Sequence, residues 1–412
     1  MINNLWGTLI LLIGITPFVN NLTYYRTRPE FITNAMAGNL QHVIYIIIVF
    51  YCIYIFISSF KTPFLSDAKK LNSLTWGFFL MMMGPFFSQF LGFVPSFNIS
   101  IYIMLLVFVT TNFLPEIEVI SLIKYIKRVL IYLYGYGSLV YLLLAPENAA
   151  SLEYSYGIIG LDIRLNGLAN HSNVLALLMI IYLLLDIFGV RYSERLRVNK
   201  FNHLVAVVVI ILAQSKTIWI AMLICYLIMF LYAYGKNKNN KYLLISLLFF
   251  SLSTLLIALV MLLNKINDFF IEHDIYTLTG RTEIWRNTIE MWKLNPMFGY
   301  GQSLWSESMA QTYFPQLMWV PGHAHSQFFQ TLGESGIFGV VFLCIYIIIF
   351  IISAIKYARS TSGLTIVLVF VLLIRGISDP IFISNIFNAS FFVHFCIFSL
   401  FILLGKSEKA TS

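Results

Sequence analysis

The fold class predicted from this sequence is an all-α polytopic membrane protein of about 12 transmembrane helices, with a large outward-facing loop between spans 9 and 10. Two observations carry that expectation. Of 412 residues, 59% are hydrophobic and only 11% are charged, less than half the roughly 25% of a soluble domain, and the mean hydropathy is +0.83. Apolar runs recur near 5–19, 40–59, 74–94, 98–113, 128–145, 172–189, 201–214, 217–234, 241–264, 336–355, 361–375 and 386–404. The runs at 5–19, 98–113, 201–214 and 361–375 are short enough to tilt, merge or re-enter. The chain reads as one integral membrane domain over 1–412, with a large periplasmic or extracellular segment at 265–335 capping the helices.

Charge placement orients these runs. A net charge of +8 would point to nucleic acid in a soluble chain, but here 17 of the 26 Lys and Arg fall in loops after even-numbered spans or at the C-terminus. Such residues are retained on the cytoplasmic side, so the even loops and both termini are expected inside and nucleic acid is not an expected partner. The cluster GKNKNNK at 235–241 fits this as an orientation signal. Residues 5–18 lack a basic leading region and a small-residue cleavage site, which reads as a first span and not a removed signal. Cys52, Cys225, Cys344 and Cys396 all lie inside apolar runs, so neither a disulfide nor a zinc site is expected. No internal repeat or low-complexity tract is visible.

Chemistry-bearing residues gather in the outward loops. In GRTEIWRNTIEMWKLNPMFGYG at 280–301, Ile284, Trp285, Ile289 and Trp292 recur at helical spacing, and Asn295-Pro296 ends the run. This reads as an amphipathic helix lying on the membrane surface. Arg281 falls in its first turn, where unpaired backbone N–H groups already favour an anion and a guanidinium adds a bidentate phosphate contact; the plainer reading is an Arg solvating lipid headgroups. In PGHAHSQFFQTLGESGIFG at 321–339, Ser326 to Leu332 reads as a short helix entering the next span. His323 and His325 lie on one side of an extended segment or far apart around a helix. An imidazole near neutral pKa is a natural base for a hydroxyl, whereas the bland alternative is a pair of histidines capping a helix. His323, His325, Glu334 and Asp379 could be collected around a metal, but the spacing matches no strong zinc motif and no metal or other cofactor is expected.

Two more cations stand at outward helix ends. Arg164 lies in RLNGLANHSN at 164–173, and Lys216 lies in AQSKT at 213–217. A cation at bilayer depth costs a few kcal/mol, so Lys216 faces a polar cavity or snorkels to the surface. Asp379 in RGISDP at 375–380 has Arg375 as an obvious partner. Several cations and a histidine on one side of a membrane point to a diphosphate site.

The ordered set SKT, GRTEIW, NPMFGYG, HAHS followed by GESGIFG, and ISD resembles the O-antigen ligase and bacterial polysaccharide polymerase superfamily, over about Arg164 to Asp379. The resemblance implies a metal-independent, inverting glycosyltransferase of the bacterial inner membrane, working on the periplasmic or outer face in lipopolysaccharide, capsule or exopolysaccharide synthesis. Such enzymes take an oligosaccharide from undecaprenyl diphosphate and join it to a hydroxyl of an acceptor glycan or glycolipid. It further implies a flippase and a chain-length regulator as partners. Arg281 matches the arginine of the family's GR-x-x-x-W element, thought to hold the diphosphate, and His325 matches the second histidine of H-x-H-N, proposed to activate the acceptor. Lys216 stands where many members have arginine, and Arg164 resembles the arginine of an R-x-x-G-x-x-x-x-x-N element. His323, Glu334, Asp379 and Arg286 are supporting candidates. Ser326 replaces the usual Asn, and Lys216 keeps the charge but loses the planar two-pronged contact.

The expected activity is that of a polymerase lengthening lipid-linked repeat units. A ligase transferring the finished glycan to a lipid A core shares the same donor chemistry. A transporter or flippase of lipid-linked oligosaccharide also suits twelve spans, but such carriers commonly show two similar halves, which are not visible here.

Overall fold

The computed structural model describes residues 3–22, 33–60, 71–152, 161–192, 198–234, 281–306, 309, 312, 322–382 and 387–411. Its helices are α1 (Asn3–Asn21), α2 (Asn34–Phe60), α3 (Ser73–Leu91), α4 (Ile99–Thr110), α5 (Val119–Arg128), α6 (Gly137–Leu144), α7 (Ser172–Tyr192), α8 (Lys200–Ala213), α9 (Lys216–Tyr234), α10 (Arg281–Leu294), α11 (Gln327–Ala358), α12 (Leu364–Ser378) and α13 (Ala389–Thr411). A π-helical stretch, Val129–Tyr136, joins α5 to α6 without a break. The described chain is thus an all-α membrane protein. Among the described residues four helices are long and apolar enough to cross a bilayer, Asn34–Ser59, Ser73–Leu91, Gln327–Ala358 and Ala389–Ser407, and six further apolar helices are 10–17 residues long. A helix covers each predicted apolar run except 241–264, which lies outside the described residues.

Burial separates the centre from the rim. In α13, 94% of the most apolar window is inside the molecule, whereas in α2 the figure is 22%. Phe391, Phe395, Phe398 and Phe401 of α13 are accordingly enclosed, while Ile46, Phe50, Tyr54 and Ile57 of α2 are exposed, as expected of a lipid-facing helix. Small residues set the closest helix crossing. A Cβ added to Gly84 of α3 would lie 2.8 Å from the Cα of Gly339 in α11, so the two backbones touch, as between membrane helices generally.

The feature that shapes the site is a break in α11. Gly336 has φ 62° and ψ −161°, a conformation essentially restricted to glycine. Here the amides and carbonyls of 333–338 turn outward and pair with the loop 296–301. Ile337 N–H donates to Pro296 O (2.9 Å), Phe338 N–H to Met297 O (3.2 Å), Tyr300 N–H to Gly333 O (2.7 Å) and Gly301 N–H to Glu334 O (3.0 Å). The same loop receives Phe93 N–H at Gly299 O (3.0 Å) and Val94 N–H at Tyr300 O (3.1 Å), which ties it to the end of α3. Ser88 Oγ also donates to Glu334 O. These bonds give partners to backbone groups that the break in α11 takes out of its own helical ladder. The sequence motif NPMFGYG is therefore a structural seam, and α10 hangs from it.

The helix α10 forms where the sequence predicts one, but it does not simply lie on a surface. Its buried face is Ile284, Asn287, Thr288 and Met291, spaced i, i+3, i+4, i+7, and it packs on the first turns of α11. Ile289 and Trp292 are only partly covered.

Replacing Gly336 by Ala would place a Cβ 2.5 Å from Met297 O in a backbone conformation that L residues avoid. The expected loss is about 1–3 kcal/mol from the backbone alone. Thermal unfolding in detergent checks it, with Gly322→Ala, which meets nothing within 4 Å, as the neutral control. Equal melting of the two variants would show that the break is not a rigid element.

Candidate functional site

Five segments converge where α7 and α9 begin and α12 ends. The first carries Arg164. A two-residue ribbon pairs β1 (Ala150–Ser151) antiparallel to β2 (Arg164–Leu165), with Ser151 opposite Arg164. The guanidinium then reaches two helix ends, donating to Asn173 Oδ1 (3.0 Å) and to Ala213 O (3.4 Å). Lys216, half-buried at the start of α9, lies within electrostatic range of Arg164. Gln214, left-handed between α8 and α9, donates to Leu161 O and Ile163 O and so fastens this corner.

Arg281 is the first residue of α10 and is half-buried. Desolvation lowers its pKa from the ordinary guanidinium value. Its neighbour Trp285 donates from Nε1 to Ala324 O at 2.8 Å and stacks on Phe329 with centroids 4.8 Å apart. The Trp of GRTEIW thus grips the middle of the His323-Ala324-His325 loop, which explains why an indole donor one turn beyond the arginine is useful there.

The histidine loop faces the end of α12. His323 Nε2 lies 2.6 Å from Asp379 Oδ1, and His325 Nδ1 lies 3.8 Å from the same oxygen. The two imidazoles sit 4.1 Å apart. Beside a carboxylate, Nε2 of His323 must carry the proton, which assigns its tautomer by geometry. The 3.8 Å contact of His325 is long, as unliganded catalytic contacts often are. His325 has φ 51°, a left-handed conformation uncommon outside glycine and concentrated at functional sites. The other Asp379 oxygen pairs with Arg375 Nη2, and Arg375 Nη1 contacts Ser378 Oγ (3.2 Å).

These groups share one electrostatic environment. The pKa of His325 is lowered to about 2 by burial first, then by His323, Arg281, His171 and Arg375. That of His323 is lowered to about 4 by burial, then by Arg375 and Arg281. That of His171 is lowered to about 3 by burial, then by Arg375, Arg164, His323 and Arg281. The arrangement is a ring of cations around neutral imidazoles, a site preset for an anion.

Of the sequence candidates, the structure brings together Arg281, His323, His325 and Asp379, with Arg164 and Lys216 adjoining. Glu334 lies behind them, fully buried and accepting from Gln330 Nε2 (2.6 Å). Arg286 is not brought in, since it is 66% exposed and paired with Glu283 on the far face of α10. Two members escaped the sequence reading. Arg375 is fully buried with Nε unpartnered among the described residues, and His171 has a buried, unpartnered Nδ1. Arg375 was visible only as a partner for Asp379. His171 stood inside the quoted RLNGLANHSN stretch, where its distance from the histidine pair in sequence hid it.

His323, His325 and Asp379 offer ligand atoms within 4.8 Å of one another, a set able to hold a metal ion. The nearby guanidiniums of Arg281 and Arg375, one of them already on Asp379, oppose a further divalent charge there and favour an anionic ligand.

Residues 201–344 match a protein-family model described as O-antigen ligase. The resemblance drawn from the motifs therefore holds over that segment, which contains Lys216, Arg281, His323, His325 and Glu334; Arg164, His171, Arg375 and Asp379 lie beyond it. No curated protein matches the chain.

The depressed imidazoles give a pH dependence of defined sign. Unfolded histidines titrate near 6.5, so below that pH the unfolded chain binds more protons than the folded one and stability falls with acid. The melting temperature is expected to drop progressively from pH 7.5 to pH 5. A His171→Gln, His323→Gln, His325→Gln triple variant should lose most of that slope. An unchanged slope in the triple variant would show that these rings titrate as ordinary surface histidines.

Proposed function

We propose that this chain is an inverting, metal-independent membrane glycosyltransferase that polymerises oligosaccharide repeat units carried on undecaprenyl diphosphate. The observation that carries the reading is the convergence of three guanidiniums on neutral histidines beside Asp379, within and next to the segment matching the O-antigen ligase family. That family association supports a membrane enzyme of the ligase or polymerase kind acting on a lipid-linked glycan and an acceptor.

In the proposed reaction the anomeric C–O bond to the carrier breaks, and negative charge develops on the diphosphate. Arg281, with Arg164 and Lys216, meets that charge in a site of low dielectric, where preorganised cations act without reorganising. Their number suits a diphosphate better than a carboxylate. His325 is neutral, and as the diphosphate offsets the guanidiniums that depress its pKa it takes the proton of the acceptor hydroxyl while that oxygen attacks the opposite face of the sugar, which inverts the anomeric centre. Asp379 and Arg375 orient the histidine pair and keep its tautomers fixed, much as a buried carboxylate orients a catalytic imidazole elsewhere. The proposed placement has both termini in the cytoplasm, the site on the outer face of the inner membrane, and the 265–335 segment over it.

The nearest alternative is a ligase delivering the finished glycan to a lipid A core, which uses the same donor chemistry. Membranes containing the protein, supplied with lipid-linked repeat units alone, are expected to yield a ladder of products on a gel. Product that forms only after core lipid is added would identify a ligase instead. His325→Ala and Arg281→Ala are each expected to lower the yield by about 10²-fold or more with insertion unchanged. Full synthesis by both variants would remove the catalytic reading altogether.

A further inference from the structure

The histidine loop and the Asp379 segment come from places 56 residues apart and neither is helical at the point of contact. Both are fastened to the same two turns of α11. Gln330 Oε1 accepts from Ala324 N–H at 2.7 Å, between the two histidines. Gln327 Oε1 accepts from both Ile381 N–H and Phe382 N–H, each at 2.8 Å, just after Asp379. Each amide is braced from one turn further along: Gln327 Nε2 donates to Thr331 Oγ1 (3.0 Å) and Gln330 Nε2 to Glu334 Oε1 (2.6 Å). Because the acceptors face backbone N–H groups and the donors face oxygens, the orientation of both amides follows from their neighbours.

All of these side chains are buried, with Gln327 at 3%, Gln330 at 5% and Glu334 at 2% exposure. Burying three such groups is costly unless each is hydrogen-bonded, and three of the bonds shown here run from α11 to loop backbone. Residues three and four apart on a helix share a face, so the spacing 327, 330, 331, 334 presents two parallel amide arms. One arm holds the imidazoles and the other holds the carboxylate that faces them.

We infer that Gln327, Gln330 and Glu334 are positioning residues that set the separation of the His323-His325 loop from Asp379, and so the alignment of the base with the acceptor hydroxyl. The inference rests on the catalytic reading of this site. Glu334 acts here through Gln330 and not as a ligand of substrate. Its carboxylate fixes which end of the Gln330 amide faces Ala324. A displacement of the order of 1 Å at such a pair costs roughly 10²-fold in rate.

The test exchanges donor and acceptor between Gln330 and Glu334. Enzyme purified in detergent is supplied with lipid-linked repeat units extracted from the source strain lacking this gene, and polymer is measured per folded, monodisperse molecule. Gln330→Glu sets two carboxylates against each other and is expected to lose tenfold or more. Glu334→Gln alone still offers an acceptor oxygen and is expected to stay within threefold of the parent. The double exchange Gln330→Glu, Glu334→Gln restores one donor and one acceptor and is expected to return within threefold. Gln327→Leu is expected to lose tenfold or more, whereas Gln327→Glu keeps both backbone acceptor bonds and most of the activity. The inference is overturned if Gln330→Glu works normally per folded molecule, or if the double exchange is no better than Gln330→Glu. Should Gln330→Glu fail to insert, Gln327→Leu decides: a loss of tenfold or more per folded molecule that Gln327→Glu does not share supports the inference, and normal activity of Gln327→Leu overturns it. His325→Ala measured alongside separates the two levels: full activity there removes the catalytic reading, while its loss with normal glutamine variants removes only the positioning role.

Discussion

The pairing of the 296–301 backbone with the opened turn of α11 at Gly336 is the constraint on which the candidate site depends. A helix that ran unbroken from Gln327 to Ala358 would use its own carbonyls internally and offer nothing to the loop. By opening one turn, α11 gives up intrahelical bonds and regains them from Pro296, Met297, Tyr300 and Gly301. Gly299 and Gly336 face each other at a distance that admits no side chain, since a Cβ on either would fall within 2.7 Å of the opposing backbone. Two motifs that read separately in sequence, NPMFGYG and GESGIFG, are thus the two sides of one joint.

From that joint the site follows mechanically. It holds α10 against the first turns of α11, and Arg281 at the start of α10 is carried toward the histidine loop. Trp285 then closes the contact by bonding Ala324, while the core of Ile284, Met291, Tyr300, Leu304, Trp305 and Ala324 fills the space beneath. This is a second apolar cluster, distinct from the large one formed among the spanning helices. This layer accordingly has a packed interior of its own, which gives the clustered arginine and histidine side chains a firm base.

The electrostatics of the assembled site run against its own stability. Arg164, Arg281 and Arg375 share one electrostatic environment with the carboxylate of Asp379, which pairs with Arg375, and burial makes each charge more costly. The histidines respond by staying neutral. An anion entering such an arrangement would lower its electrostatic cost, so stability and anion binding are linked. Asp379 offsets part of this cost through its pair with Arg375 and its contact with His323 at 2.6 Å.

Much of this was legible in the amino-acid order, because hydropathy and loop charge act locally. The apolar runs became helices wherever the chain is described, Arg281 fell in the first turn of α10, and a helix entered the next span just after Ser326. The motifs also nominated Arg281, His323, His325 and Asp379, since each sits in a short stretch with its own local signature. What a linear reading could not reach were contacts made across long separations. The opened turn at Gly336 depends on a loop about 40 residues earlier in the chain, His171 joins histidines more than 150 residues away, and Arg286 turns from the site because helical rotation places it opposite Arg281's neighbours. Helix formation is decided within a few residues, whereas the convergence of charges is decided by which backbone groups find partners across the fold; only tertiary structure carries that information.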